Sequence, residues 1–84
     1  MRSDEKRFVY VMLSDVNHSP YIGITSDLSR RLATHNSGGS AYTAPLRPWR
    51  LAVSVEFANE HRALRFERYL KSGSGRAFMK RHFL

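Results

Sequence analysis

The sequence predicts a small α+β domain with its elements in the order β-β-α-β-α-α, a mostly antiparallel sheet with helices packed on it. Three observations predict it. The chain has 84 residues, below the usual size for two domains. Phe8 to Leu13 and Leu51 to Phe57 read as strands, while the segments after Asp27 and after Asn59 read as capped helices. With 42% hydrophobic and 25% charged residues, the composition is that of a globular chain. One domain over 1–84 is expected, with its core over about 7–71 and a short helix over 76–82.

Phe8 to Leu13 is an unbroken run of β-formers. A period of two puts Phe8, Tyr10 and Met12 on one face and Val9, Val11 and Leu13 on the other. Ser14 to Pro20 is turn chemistry, and Tyr21 to Ile24 makes a second strand, so the two form an antiparallel hairpin. Gly23 within that strand marks a place where another group comes close. Thr25, Ser26 and Asp27 start a helix of about ten residues that Asn36, Gly38 and Gly39 end. Ser40 to Pro48 is a polar loop carrying Tyr42, Thr43 and Arg47. Leu51, Val53, Val55 and Phe57 alternate with Ala52, Ser54 and Glu56 as a half-buried strand. Asn59 caps a second helix that runs to about Lys71. Ser72 to Gly75 then breaks the chain before the final basic helix.

Charge narrows the function classes. Fourteen Lys and Arg against seven Asp and Glu leave a formal charge of +7, a field that attracts polyanions and speeds encounter with them. There is no cysteine, which removes disulfides and thiolate metal sites and fits a reducing compartment. No apolar run approaches the roughly 18 residues of a membrane span. Met1 to Arg7 is charged and lacks a signal-peptide core, so a cytoplasmic location is expected.

Several polar residues sit where packing asks for apolar ones. At roughly 100° per residue, the second helix gathers Ala63, Leu64, Phe66 and Leu70 into one arc, and Glu67 falls inside it. A carboxylate turned towards a core is paired, neutralised or bound to a cation. An internal salt bridge with an arginine, Arg31 above all, is the structural alternative to a ligand role. On the first helix, Leu28 and Leu32 define the buried stripe, and Arg31 and His35 flank it on one side, while Arg30 points away. Taken singly, Arg31 reads as a snorkelling side chain and His35 as a hydrogen-bonded imidazole. Tyr10 and Tyr21, on adjacent strands, read as packing aromatics unless both face one side.

Phe8-Val9-Tyr10, then Tyr21-Ile22-Gly23, Arg31 ten residues past the second tyrosine, His35 four further on and a helical Glu67 resemble the GIY-YIG nucleases. The resemblance runs from about Phe8 to Lys71. It is strongest to the short standalone bacterial members, which share Tyr-Ile-Gly-Ile-Thr, the His-Asn after the first helix and the Leu-Lys end of the second. Phe8 stands where the motif has its first Gly. The resemblance implies a three-stranded antiparallel sheet flanked by helices, with the site on one face. It implies a metal-ligating role for Glu67, an essential role for Arg31, and places for Tyr10, Tyr21 and His35 in the site.

The activity so implied is that of an endonuclease hydrolysing nucleic-acid phosphodiesters with one divalent ion, Mg²⁺ or Mn²⁺, at Glu67. A hard cation that keeps most of its waters needs few protein ligands. Arg31 would grip phosphate oxygens. Either Tyr10 or His35 would deprotonate the attacking water, with Tyr21 orienting it or the phosphate. A phenol near pKa 10 is a poor base at neutral pH, so Tyr10 is expected to have its pKa lowered by neighbouring cations. Arg47, Arg50, Lys71, Arg76, Lys80 and Arg81 are candidates for tracking the backbone. Tyr42 and Trp49 are candidates for stacking on an unpaired base, with packing under the loop the stronger reading for Trp49. The partner is nucleic acid, DNA ahead of RNA, with specificity supplied by another protein chain and no membrane contact. Two other readings compete: a catalytically idle nucleic-acid-binding module, and a small basic structural or ribosome-associated protein.

Overall fold

The structure, a computed structural model, describes residues 5–84. The charged start at Met1 to Asp4, on which part of the reading of the N-terminus rests, lies outside the described residues. Strand β1 (Arg7–Ser14) is the centre of a three-stranded antiparallel sheet of order β2-β1-β3, with β2 spanning Pro20–Thr25 and β3 Trp49–Phe57. Helix α1 (Leu28–Ser37) lies between β2 and β3 in sequence, and α2 (Glu60–Leu70) and α3 (Gly73–His82) follow β3. The order β-β-α-β-α-α and the α+β class are as the sequence predicts.

The period of two in β1 builds two separate cores. Val9 and Val11 face one way and pack with Ala63 and Leu70 of α2 and Met79 of α3. Tyr10 and Met12 face the other way and pack with Trp49, Leu28 and Leu32 of α1, and Leu46. Both faces of so small a sheet are therefore covered. Phe78, Met79 and Phe83 join the first core, so packing continues well past residue 71.

Helix ends follow the capping chemistry. The side chain of Asp27 accepts from the Arg30 N–H at 3.1 Å, and that of Asn59 from the Arg62 N–H at 3.1 Å. Gly38 closes α1 in the left-handed conformation (φ 87°).

Three expectations need correcting. The last helix begins at Gly73, not Arg76: Ser72 is its cap, its Oγ accepting from the Gly75 N–H at 3.2 Å. Gly75 is buried against the Tyr69 carbonyl, where a Cβ would collide, so this glycine permits tight helix-helix packing rather than breaking a helix. The loop from Ser40 holds a short 3-10 turn over Ala44–Leu46. The regular alternation of β3 fails at Ala52. Val11 pairs with Val53 but Met12 pairs with Leu51, a bulge that moves Leu51 off the Val53 face and leaves it 39% exposed. The same shift puts Trp49 into the Tyr10 core.

Candidate active site

The register of the hairpin sets Tyr10 opposite Gly23 and Met12 opposite Tyr21, so both phenols lie on one face. Their ring centroids are 6.4 Å apart. A methyl group on Gly23 would collide with the Tyr10 ring and its oxygen, so the glycine is what lets that ring lie across β2.

His35 comes down from α1 to complete the cluster, with its ring 6.0 Å from that of Tyr10 and 5.1 Å from that of Tyr21. It is 1% exposed, and both ring nitrogens are engaged: Nε2 with the Tyr10 hydroxyl at 2.8 Å and Nδ1 with Thr43 Oγ1 at 2.8 Å. Thr43 donates its own proton to the Ser40 carbonyl, at 3.4 Å, which leaves its oxygen to accept from Nδ1–H. Nε2 then accepts the Tyr10 O–H. In this arrangement Nδ1 carries the proton and the loop threonine accepts it.

The electrostatics of this pair depart from expectation. Tyr10 is 2% exposed, and burial, with the neighbouring Tyr21 phenol, pushes its pKa up to about 12; Arg31 pulls it down and Glu67 pushes it up, both less strongly. The expected lowering by cations is therefore reversed, because desolvation of the phenolate outweighs Arg31. His35 is shifted below its ordinary 6.5, first by burial and then by the Arg31 charge, so it is neutral at neutral pH.

Arg31 comes from α1 and Glu67 from α2. Helix α1 packs on the Tyr10 face and α2 on the Val9 face, yet the charges of both residues act on the Tyr10 phenol. Arg31 is exposed on α1. The Glu67 side chain is 16% exposed, and its Oε2 lies 2.9 Å from Lys71 Nζ, one helical turn on. The anticipated salt-bridge partner, Arg31, is not the one observed.

Among the described residues, no group of three or more His, Asp or Glu side chains converges to hold an ion. That donor set does not fit a closed zinc-type site. A hard divalent cation needs few protein ligands, and Glu67, whose Oε2 is engaged by Lys71 Nζ, is the carboxylate that would hold it.

The six basic candidates do not form one patch. Lys71 and Arg76 line a groove with Tyr21 and Tyr42, and Arg76 continues with Lys80 into a second groove over Ile22 and Met79. Arg81 lines a different recess with Tyr69 and Phe78. Arg50 is paired with Asp15 at 3.0 Å, and the Arg47 Nε donates to the Ala44 carbonyl at 2.9 Å. Trp49 is buried, with its indole N–H donating to the Thr43 carbonyl at 2.8 Å, so it packs under the loop. Tyr42 is 79% exposed.

Three structural polar residues had no periodic signal in the sequence. Asn36 clamps Trp49 twice, Nδ2 donating to its carbonyl at 2.9 Å and Oδ1 accepting its N–H at 2.7 Å. Buried Ser14 donates to the Leu46 carbonyl at 2.8 Å. Thr43 holds His35. Only the His-Asn pair at the end of α1 hinted at this network.

Comparison with known proteins places this geometry. Residues 6–82 match the GIY-YIG catalytic domain. The UPF0213 protein of Lactococcus lactis is 45% identical over 65 residues, covering 76% of this chain and 65% of that protein. A UPF0213 protein of Streptococcus pneumoniae is 44% identical over 69 residues, 81% of this chain and 69% of its own length. The chain thus spans about two thirds of these relatives, slightly less in the first case. The structure-specific endonuclease subunit SLX1 of Podospora anserina is 44% identical over 66 residues, 70% of this chain but 19% of that larger protein. The solution NMR structure of the UPF0213 protein from Bacillus halodurans superposes with a TM-score of 0.55 at 31% identity, covering 88% of this chain and 81% of the other. The Tyr10 ring lying against Gly23, with Tyr21 on the same face, and a match across nearly the whole sequence agree: the chain belongs to the GIY-YIG catalytic domain family.

Proposed function

We propose that the chain is a metal-dependent endonuclease that hydrolyses nucleic-acid phosphodiesters, with one Mg²⁺ or Mn²⁺ ion at Glu67. The observation that carries this reading is the 2.8 Å hydrogen bond between the Tyr10 phenol and a buried, neutral His35, with the charges of Arg31 and Glu67 both acting on the phenol. A phenol at about 12 is no base by itself at pH 7. With its proton already directed at His35 Nε2, it becomes one. Tyr10 takes a proton from the attacking water as it hands its own to His35, and the water oxygen forms its bond to phosphorus while the bond to the leaving oxygen breaks. Arg31, permanently charged and planar, grips the non-bridging oxygens and balances the charge that develops on them. Tyr21 orients the water or the phosphate. A cation on Glu67 would supply Lewis-acid neutralisation at the phosphate and the leaving oxygen.

DNA is the favoured substrate over RNA, and the cytoplasm the favoured location, the latter on the absence of cysteine. The name of the fungal relative, an endonuclease subunit, supports a second chain as a source of specificity. Labelled single-stranded, duplex and flap DNA and RNA, incubated with the protein in Mg²⁺, Mn²⁺ or EDTA, test the reading. Cutting that needs metal and is lost in a folded Glu67→Ala variant is the expected outcome. Binding to every substrate with no cutting by the wild type would replace it with the idle binding module.

A further inference from the structure

The geometry points to a nucleotide subsite beside the Tyr10 centre, in which one unpaired base lies on Tyr42 and the adjoining phosphate sits between Lys71 and Arg76. The Tyr42 ring is 79% exposed, the most exposed large hydrophobic side chain among the described residues. Tyr42 is also not isolated: its ring centroid lies 6.1 Å from that of Tyr21, which in turn touches His35. It therefore extends the buried aromatic cluster outward to the surface, one ring beyond the proposed reacting centre.

The ring forms part of a groove of about 390 Å³, with Pro20 and Ile22 supplying apolar surface and Lys71 and Arg76 the charge. That volume is within the range of small-ligand sites, about 300–1,000 Å³. A flat apolar face lined by two cations, Arg76 and a Lys71 that is held 2.9 Å from Glu67 Oε2, has the chemistry of a base followed by a phosphate. A second groove shares Pro20, Ile22 and Arg76 and adds Lys80, so a strand leaving the subsite meets a further cation along the β2–α3 edge. A base held in its duplex partner's stack cannot lie on Tyr42, so the subsite selects a nucleotide that is unpaired at that position.

The subsite takes its orientation from the nuclease reading, since the cut is placed at Tyr10, but its test does not depend on cutting. Binding is read by fluorescence anisotropy in EDTA with two probes: a labelled twelve-nucleotide deoxythymidine strand, and a strand of equal length made only of abasic sugar phosphates. Wild type is expected to prefer the strand with bases by about tenfold or more, from stacking. Tyr42→Ala should lose most of that preference, Tyr42→Trp should keep it, and Arg76→Ala should weaken both probes alike. An unchanged preference in Tyr42→Ala would overturn the subsite. A protein that shows the preference and its loss in Tyr42→Ala but cuts nothing would keep the subsite and lose the nuclease reading.

Discussion

The two sides of Tyr10 are built on opposite principles. On the α1 side, Tyr10, His35, Thr43 and Trp49 are buried, and each polar group is answered by another within the fold. Among the described residues no buried side-chain nitrogen or oxygen lacks a partner. On the β2–α3 side, Tyr42, Lys71, Arg76 and Lys80 stand in solvent along open grooves. The first region holds one proton arrangement and tolerates little change, because an orphaned buried donor or acceptor costs about 1–3 kcal/mol. The second region makes weak, screened contacts that a polyanion can replace one by one. The difference divides the work: fixed geometry for chemistry, an adaptable edge for grip.

Arg31 lies at the boundary and offers the sharpest break between the two. Arg31→Ala is expected to lower kcat by about 10²–10³-fold with the fold unchanged, measured by single-turnover cleavage beside circular dichroism. If Arg31 belonged to the gripping edge instead, KM would rise and kcat would hold. Gly23→Ala tests how tightly the buried side is packed. The added methyl must displace the Tyr10 ring, and a loss of about 1–3 kcal/mol in chemical denaturation is expected, with activity falling alongside.

Thr43→Val should be milder in chemistry and comparable in stability, about 1–3 kcal/mol, because it strands His35 Nδ1–H. It also removes the acceptor of the Nδ1 proton, so the pH profile of cleavage should move while substrate binding does not. The pH dependence of the wild type follows from His35. Its folded pKa lies below 6.5, so the unfolded chain takes up the proton first as pH falls. Its contribution to stability is complete above 6.5 and is lost as pH falls through the folded value. The acid limb of cleavage should lie below 6.5 for the same reason, and melting temperature against pH should flatten in His35→Gln. The smallest effects belong to the edge: Arg76→Ala should reduce the salt dependence of binding by about one phosphate contact, while Arg81→Ala, in its separate recess, should leave it unchanged.

What the sequence revealed and what it concealed follow the same division. Tyr10 falls on a defined face of β1 because strand period is a local property, whereas Tyr21 shares that face through the hairpin register, which is not. Glu67 stood out because a helix arc exposes an intruder. The caps at Asp27 and Asn59 are local chemistry, and both are where the sequence puts them. The partners of buried polar groups are not local. Thr43 reaches His35 across eight positions, Asn36 reaches Trp49 across thirteen, and Ser14 reaches Leu46 across thirty-two. Nothing in the polar loop marks Thr43 as the residue that meets His35 Nδ1. The direction of the Tyr10 pKa was hidden for a related reason, since burial outweighs a neighbouring arginine only once the depth of the ring is known. The start of α3 was misplaced because Gly75 reads as a breaker until the Tyr69 carbonyl is seen against it.

The claim that matters most is that the buried Tyr10–His35 pair performs the chemistry. Its most direct test is single-turnover cleavage by Tyr10→Phe on the substrate the wild type cuts best, with the fold of the variant verified by thermal melting. The expected result is a loss of about 10²-fold or more with substrate affinity retained. Cleavage by Tyr10→Phe at the wild-type rate would contradict it and leave the phenol a packing residue.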